Sequence, residues 1–342
     1  MKRWLIGEAT LLCGLVICTL VVQAEDDTTK PMGGYTIEGV PNEHQIDKNV
    51  SYFFLEEQPG EKDQIKIKLL NDSTEEKTLN VKVTNANTNS NGLIDYTGTL
   101  KDHASLKTPL TSIVKPQVTE VKVAPKSETE TKLDIQMPEE KQEGIILGGV
   151  VVSEKSDETK KEKNASFGNA YRYTLGVVLT NDKEIQVNKN KEIELEKVGA
   201  ILSDGRKIVQ ADLLNPTSYI FGEAIVSGKI LNKSETQTIR ERKKEKVKIA
   251  PHSVYPFQFD WKKEELKPGN YVFEGQVKTK ERKWVVKQAF MIRAEEAKQI
   301  NEKSVFKLFI PVWLKLSVAI VGVVTLITTV FLWIRRKRYE TE

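Results

Sequence analysis

Hydropathy of period two runs through most of this chain and fixes the class of fold before any motif is considered. Ile65, Ile67 and Leu69 alternate with Lys66 and Lys68. Leu79, Val81 and Val83 alternate with Asn80 and Lys82, and Leu133, Ile135 and Met137 repeat the pattern. Ile185 with Val187, then Ile193 with Leu195, continue it. Side chains on a strand point alternately to its two faces, so such segments bury one face and wet the other, as antiparallel sheets do. Turn chemistry separates them at Pro59-Gly60, Asn71-Asp72-Ser73, Asn91-Gly92, Asp204-Gly205, Asn215-Pro216 and Pro268-Gly269. This spacing predicts an all-β chain built as two immunoglobulin-like β-sandwich domains. With 342 residues there is length enough for both.

The ends predict a place in the cell. Lys2 and Arg3 precede an apolar run from Leu5 to Val22, and Val22-Gln23-Ala24 is a small-residue cleavage site, so residues 1–24 read as a secretory signal peptide. Both cysteines, Cys13 and Cys18, lie inside it, so the exported chain is expected to hold no disulfide. Leu316 to Ile334 carries no charge over 19 residues. At ~1.5 Å per residue that is ~28 Å of helix, close to the ~30 Å hydrocarbon core. Arg335, Arg336, Lys337 and Arg338 follow at once, and the positive-inside rule puts them in the cytoplasm. The expectation is a single-pass protein of the cell membrane, N-terminus outside, with its ectodomain in the cell wall. Removing residues 1–24 and 315–342 leaves a middle of zero net charge, which argues against nucleic acid as a partner.

The divisions expected along the chain are a flexible N-terminus (25–34), a first sandwich (35–184), a second sandwich (185–293), a polar stalk (294–313), a transmembrane helix (314–334) and a basic tail (335–342). Residues 153–166 are highly charged and read either as a linker between domains or as a hairpin loop. The hairpin is favoured, because the apolar flanks 144–152 and 171–180 each need a strand partner.

The runs PNEHQIDKNVSYFFLEEQPGEKDQIKIKLLND (41–72) and VTNANTNSNGLIDYTG (83–98) resemble the N-terminal half of the WxL-interacting proteins of Gram-positive bacteria. ADLLNPTSYIFGEAIVSGKI (211–230), APHSVYPFQF (250–259) and LKPGNYVFEGQVK (266–278) resemble their C-terminal half. The resemblance implies a peptidoglycan-binding first domain and a host-binding second domain, divided nearer 160 than 184. It also implies WxL-domain surface proteins and host extracellular-matrix proteins as partners. No cofactor is expected.

Catalysis has little support in the sequence. His44, His103 and His252 are far apart and lack metal-ligand spacing, so neither a catalytic residue nor a metal is expected. The rival reading is a cell-wall-processing glycan hydrolase, since a carboxylate pair leaves no sequence signature. Asn87, Asn89, Asn91, Gly92 and Asp95 have the spacing of half a calcium loop, but neutral amides and Gly98 at the twelfth position make a poor calcium set. The same amides read as an Asx-turn brace or as hydrogen-bonding groups for a sugar. Tyr52, Phe53 and Phe54 are consecutive, so one ring at least must point outward, and Tyr52 and Phe54 join Asn87, Asn89, Asn91 and Asp95 as candidate ligand contacts. The aromatic set Phe257, Phe259 and Trp261 is read as core. Basic residues 240–248 are read as a solvated edge strand.

Overall fold

The computed structural model describes residues 31–155, 171–307 and 311–339. The signal peptide, residues 25–30 of the expected flexible N-terminus, most of the charged stretch 153–166, and the last residues of the basic tail lie outside these. Residues 32–34 form a short 3-10 turn, and the Gly34 carbonyl accepts from the Asp72 amide at 3.0 Å.

The first sandwich contains β1 (Tyr35–Val40), β2 (Phe53–Glu56), β3 (Lys62–Asn71), β4 (Lys77–Asn85), β5 (Asn87–Thr88) and β6 (Ile94–Asp95). After a single turn of helix, α1 (Leu110–Ile113), come β7 (Val114–Pro116), β8 (Glu120–Val123), β9 (Ser127–Gln136), β10 (Ile146–Glu154) and β11 (Arg172–Thr180). One sheet runs β1-β3-β9-β7 and the other β2-β11-β10-β4-β8. The pairs are antiparallel except β2 with β11. Between the sheets lie the alternating residues singled out in the sequence: Ile65, Ile67, Leu69, Leu79, Val81, Leu133 and Ile135. The 144–152 and 171–180 segments pair antiparallel, Ser153 opposite Arg172 through Ile146 opposite Leu179.

The second sandwich contains β12 (Glu194–Ser203), β13 (Arg206–Asn215), β14 (Phe221–Asn232), β15 (Thr238–Ile249), β16 (Ser253–Asp260), β17 (Gly269–Lys278) and β18 (Lys283–Ile292). Its sheets run β12-β13-β16 and β15-β14-β17-β18, all antiparallel, so the basic 240–248 stretch is indeed an edge strand. Phe257, Phe259 and Trp261 are buried as expected. Phe257, Phe259 and Phe273 stack edge to face at 5.1 and 6.0 Å, the arrangement that ring quadrupoles favour.

Two expectations are corrected. Ile185 and Val187 are not on a strand; both are half-buried from a connecting segment and pack on a cluster between the sandwiches. Two apolar residues at spacing two are too few to separate a strand from a loop that buries alternate side chains. The stalk is also different. Ala294–Lys303 is a helix, α2, whose Ala297 and Ile300 share a face at i,i+3 and are buried in the second core. The Asn301 side chain pairs with both backbone groups of Leu266, at 3.0 and 2.9 Å, and Ser304 Oγ donates to the Gly205 carbonyl at 2.9 Å. The second domain therefore extends to Phe306, whose carbonyl accepts from Lys207 Nζ at 2.7 Å. A final helix, α3 (Val312–Tyr339), continues past the expected end at 334 into the basic cluster, and its Leu316–Ile334 stretch is long and apolar enough to cross a membrane.

Candidate functional site

The Asn-rich loop proves to be a connector between sandwiches. Asn87 is buried, and its Nδ2 donates to Asp102 Oδ1 at 2.8 Å, while Asn85 Nδ2 donates to the other oxygen at 2.7 Å. Asn89 Oδ1 accepts the amides of Asn91 and Leu93, and Asp95 Oδ1 accepts the amide and hydroxyl of Thr97. These are Asx-type turns, and they engage one oxygen each of Asn89 and Asp95 in bracing the loop. Of the four candidate residues Asn87, Asn89, Asn91 and Asp95, Asn91 alone is exposed. Between them, Thr88 Oγ1 accepts from the Ala250 amide and the Ser253 hydroxyl, each at 3.0 Å, and the Gly92 carbonyl accepts the Lys248 amide at 2.9 Å. Ala250, Ser253 and Lys248 belong to the second sandwich. Around this bracket Ala86, Ile145, Leu147 and Val178 of the first domain close on Ala250 and Ile220 of the second.

The structure separates the two candidate rings. Phe54 is half-buried against that same junction cluster, and Phe53 is in the first core. Tyr52 is 39% exposed, its ring 6.5 Å from that of Phe54. It lines a 470 Å³ groove with Gly39, Gln45, Lys48, Tyr173 and Thr174, between the β1 edge and β11. Neither the Asn87–Asp95 residues nor Phe54 reach this groove.

A third cluster was missed by sequence reasoning. His44, Glu57 and Glu61 each place one donor atom within 4.8 Å of the others. Glu57 follows β2 and is held by its backbone on both sides, its amide donating to the Thr180 carbonyl and its carbonyl accepting from Asn181 Nδ2. Its side chain is 0% exposed, and neither carboxyl oxygen meets a hydrogen-bond donor. Burial, with Asp63 and Glu61 close by, pushes its pKa up to about 9. Glu61 is placed by the Gln58–Glu61 turn, in which the Gln58 amide donates to Glu61 Oε2 at 2.5 Å. Asn42 ties the cluster together: Nδ2 donates to Asp63 Oδ2 at 2.5 Å and Oδ1 accepts the His44 amide at 3.1 Å. The Glu56 carbonyl lies 2.9 Å from His44 Nδ1 and holds the imidazole pKa above its ordinary value. The cluster's residues are spread over positions 42–63 with no ligand spacing; the only signal was the density of acids around one histidine.

Residues 35–154 match the family model described as the WxL Interacting Protein peptidoglycan binding domain. Residues 162–302 match the host binding domain of the same family. The chain belongs to the WxL-interacting protein family. The matched stretches make it a cell-surface binding protein, with peptidoglycan and host or surface proteins as its classes of partner. In this WxL-interacting protein the second matched stretch includes β11, whose hydrogen-bonded neighbours β10 and β2 lie in the first sandwich. Among solved structures it is similar to the Pseudomonas aeruginosa CupB2 chaperone (11% identity, TM-score 0.27, 69% of this chain and 96% of that one). It is similar also to the E. coli chaperone DraB (10% identity, TM-score 0.28, 69% of this chain and 92% of that one). Among curated proteins none matches.

Proposed function

We propose that this WxL-interacting protein is a membrane-anchored adapter whose first sandwich, residues 35–184, grips peptidoglycan and whose second, 185–306, docks a WxL-domain surface protein or a host matrix protein. The ordered pair of family matches carries this reading. For the glycan contact we assign the Tyr52 groove, where a partly exposed ring can stack on a sugar and the exposed Ser51 and Thr174 offer neutral hydroxyls. For the protein partner we assign the open edge β18, which exposes Val285 (70%) and Met291 (55%) beside a 660 Å³ groove flanked by Arg242, Glu274 and Lys287. An edge strand offers backbone pairing to an incoming chain. Helix α3 serves as the anchor, with Arg335–Arg338 on the cytoplasmic side. From Phe306 to Val312 the chain spans at most ~22 Å at ~3.3–3.6 Å per residue, so the second sandwich stands close to the bilayer.

The assignment of the glycan groove is tested by sedimentation of the ectodomain with purified sacculi. Tyr52→Ala should cut the bound fraction several-fold at unchanged melting temperature. The pair Asn89→Ala and Asn91→Ala should lower the melting temperature and leave binding by folded protein intact. The reverse pattern would return the site to the loop. Topology is read separately: protease added to intact protoplasts should shave the sandwiches and spare an epitope placed after Arg338, and loss of that epitope would invert the orientation.

A further inference from the structure

We propose that His44, Glu57 and Glu61 form a binding site for a single divalent transition-metal cation of the zinc or manganese kind. The site goes beyond the adapter reading and does not depend on it. Three independent features converge on it.

The first is an unpaired buried group. Both oxygens of Glu57 lack a donor, and in a side chain with no exposure that is a costly arrangement which native structures rarely leave unanswered. Among the described residues no Lys or Arg forms an ion pair with Glu57, Glu61 or Asp63, so no fixed cation of the protein stands where a metal ion would sit beside them.

The second is the presentation of the imidazole. With Nδ1 2.9 Å from the Glu56 carbonyl, a proton on Nδ1 is directed to that oxygen, which leaves Nε2 with a free lone pair. A metal-bound histidine is commonly oriented this way, by a backbone carbonyl on its other nitrogen. Nε2 faces Glu61 Oε1 at 3.8 Å and Glu43 Oε1 at 4.0 Å, and Glu57 Oε2 lies 3.5 Å from the same ring's Nδ1. Ligands at ~2.0–2.2 Å from zinc stand roughly 3.3–3.6 Å apart, so Glu61 and Glu43 need only small shifts toward Nε2, while the Glu57 carboxylate, which faces the Nδ1 side, has to turn toward the ion. Glu43, almost fully exposed, can swing in as a fourth ligand.

The third is access. His44 and Glu61 line a 450 Å³ cleft together with Glu43, Glu56, Gln58 and Lys183, which brings an ion to the two of them, with the buried Glu57 behind.

The donor set selects the class of ion. One imidazole with carboxylates suits zinc or manganese, whereas calcium and magnesium prefer oxygen alone. The experiment is titration of chelator-treated ectodomain with Zn²⁺, and with Co²⁺ as a visible probe. The expected result is one ion per chain, with cobalt d–d bands that disappear in His44→Gln and weaken at least tenfold in affinity in Glu61→Gln, both variants keeping the wild-type circular dichroism. Glu57→Gln, which keeps the shape of the buried side chain, should also abolish binding. Absence of stoichiometric binding would overturn the proposal. So would binding that survives His44→Gln, or a site that takes Ca²⁺ in preference to Zn²⁺.

Discussion

Replacing Glu57 by Gln is expected to stabilise the metal-free ectodomain at pH 8 by about 2–4 kcal/mol and to leave it nearly unchanged at pH 5. The carboxyl titrates at its ordinary 4.5 in the unfolded chain and at about 9 in the folded one. Between those values the folded state holds a proton that the unfolded state has lost. Stability is therefore fully present below the unfolded pKa and falls as pH rises toward 9. Each pH unit in the window costs about 1.4 kcal/mol, so three units from pH 5 to 8 set a ceiling near 4 kcal/mol. Gln keeps the shape, stays neutral and supplies an N–H to the Asp63 and Glu61 carboxylates, so it removes the titration without opening a cavity. Chemical denaturation in chelator at pH 5 and pH 8 measures this directly. Equal losses of stability between the two pH values in wild type and variant would show that Glu57 is ionised in the fold.

The architecture was legible because each sandwich strand repeats one physical rule. Ile65, Ile67 and Leu69 sit between sheets because Lys66 and Lys68 must reach water, and that choice is made residue by residue along the strand. Legibility ended where burial is not periodic. Helix α2 hides only Ala297 and Ile300 under eight mostly charged neighbours, so its sequence reads as a stalk. Ile185 and Val187 pack at a junction that no local pattern announces. The candidate sites fared by the same logic. An outward ring among Tyr52, Phe53 and Phe54 could be expected from three in a row; that it is Tyr52, just ahead of β2, could not. The Asn87–Asp95 loop gave its turn chemistry correctly, but its seat against Ala250 and Ser253 depends on residues more than 160 positions away. Glu57 carries nothing in sequence to distinguish it from the neighbouring Glu56 or Glu61; its burial follows from the Asn181 side chain and β11 closing over it.

Gly144→Ala is expected to split the cooperative unfolding of the two sandwiches into two transitions, the lower destabilised by about 2–4 kcal/mol. Gly144 has φ +76°, where any side chain is strained. A Cβ there would stand 2.3 Å from the Ser218 carbonyl oxygen, inside the other domain. That same oxygen accepts the Ile145 amide at 2.8 Å, so the added methyl drives away the group that the next residue binds. The left-handed strain accounts for roughly 1–3 kcal/mol and an orphaned buried amide for about 1–3 more, partly relieved by separation of the domains. Gly199→Ala is the control, because a methyl group added there would meet nothing within 4 Å and the backbone φ is ordinary. Calorimetry should show one transition in wild type and Gly199→Ala and two in Gly144→Ala, with a larger radius of gyration by X-ray scattering. The junction also has its own pH signature. His252, whose Nε2 lies 3.0 Å from Ser218 Oγ, has its pKa lowered by burial and then by His103. A lowered histidine pKa gives stability that is complete above the ordinary 6.5 and is lost as pH falls below it. Acid should thus loosen the junction while it relieves Glu57, two opposite slopes that the variants separate. A Gly144→Ala protein that still melts in one wild-type transition would mean that the bracket at Thr88 and Gly92 couples the sandwiches without the Ile145–Ser218 contact.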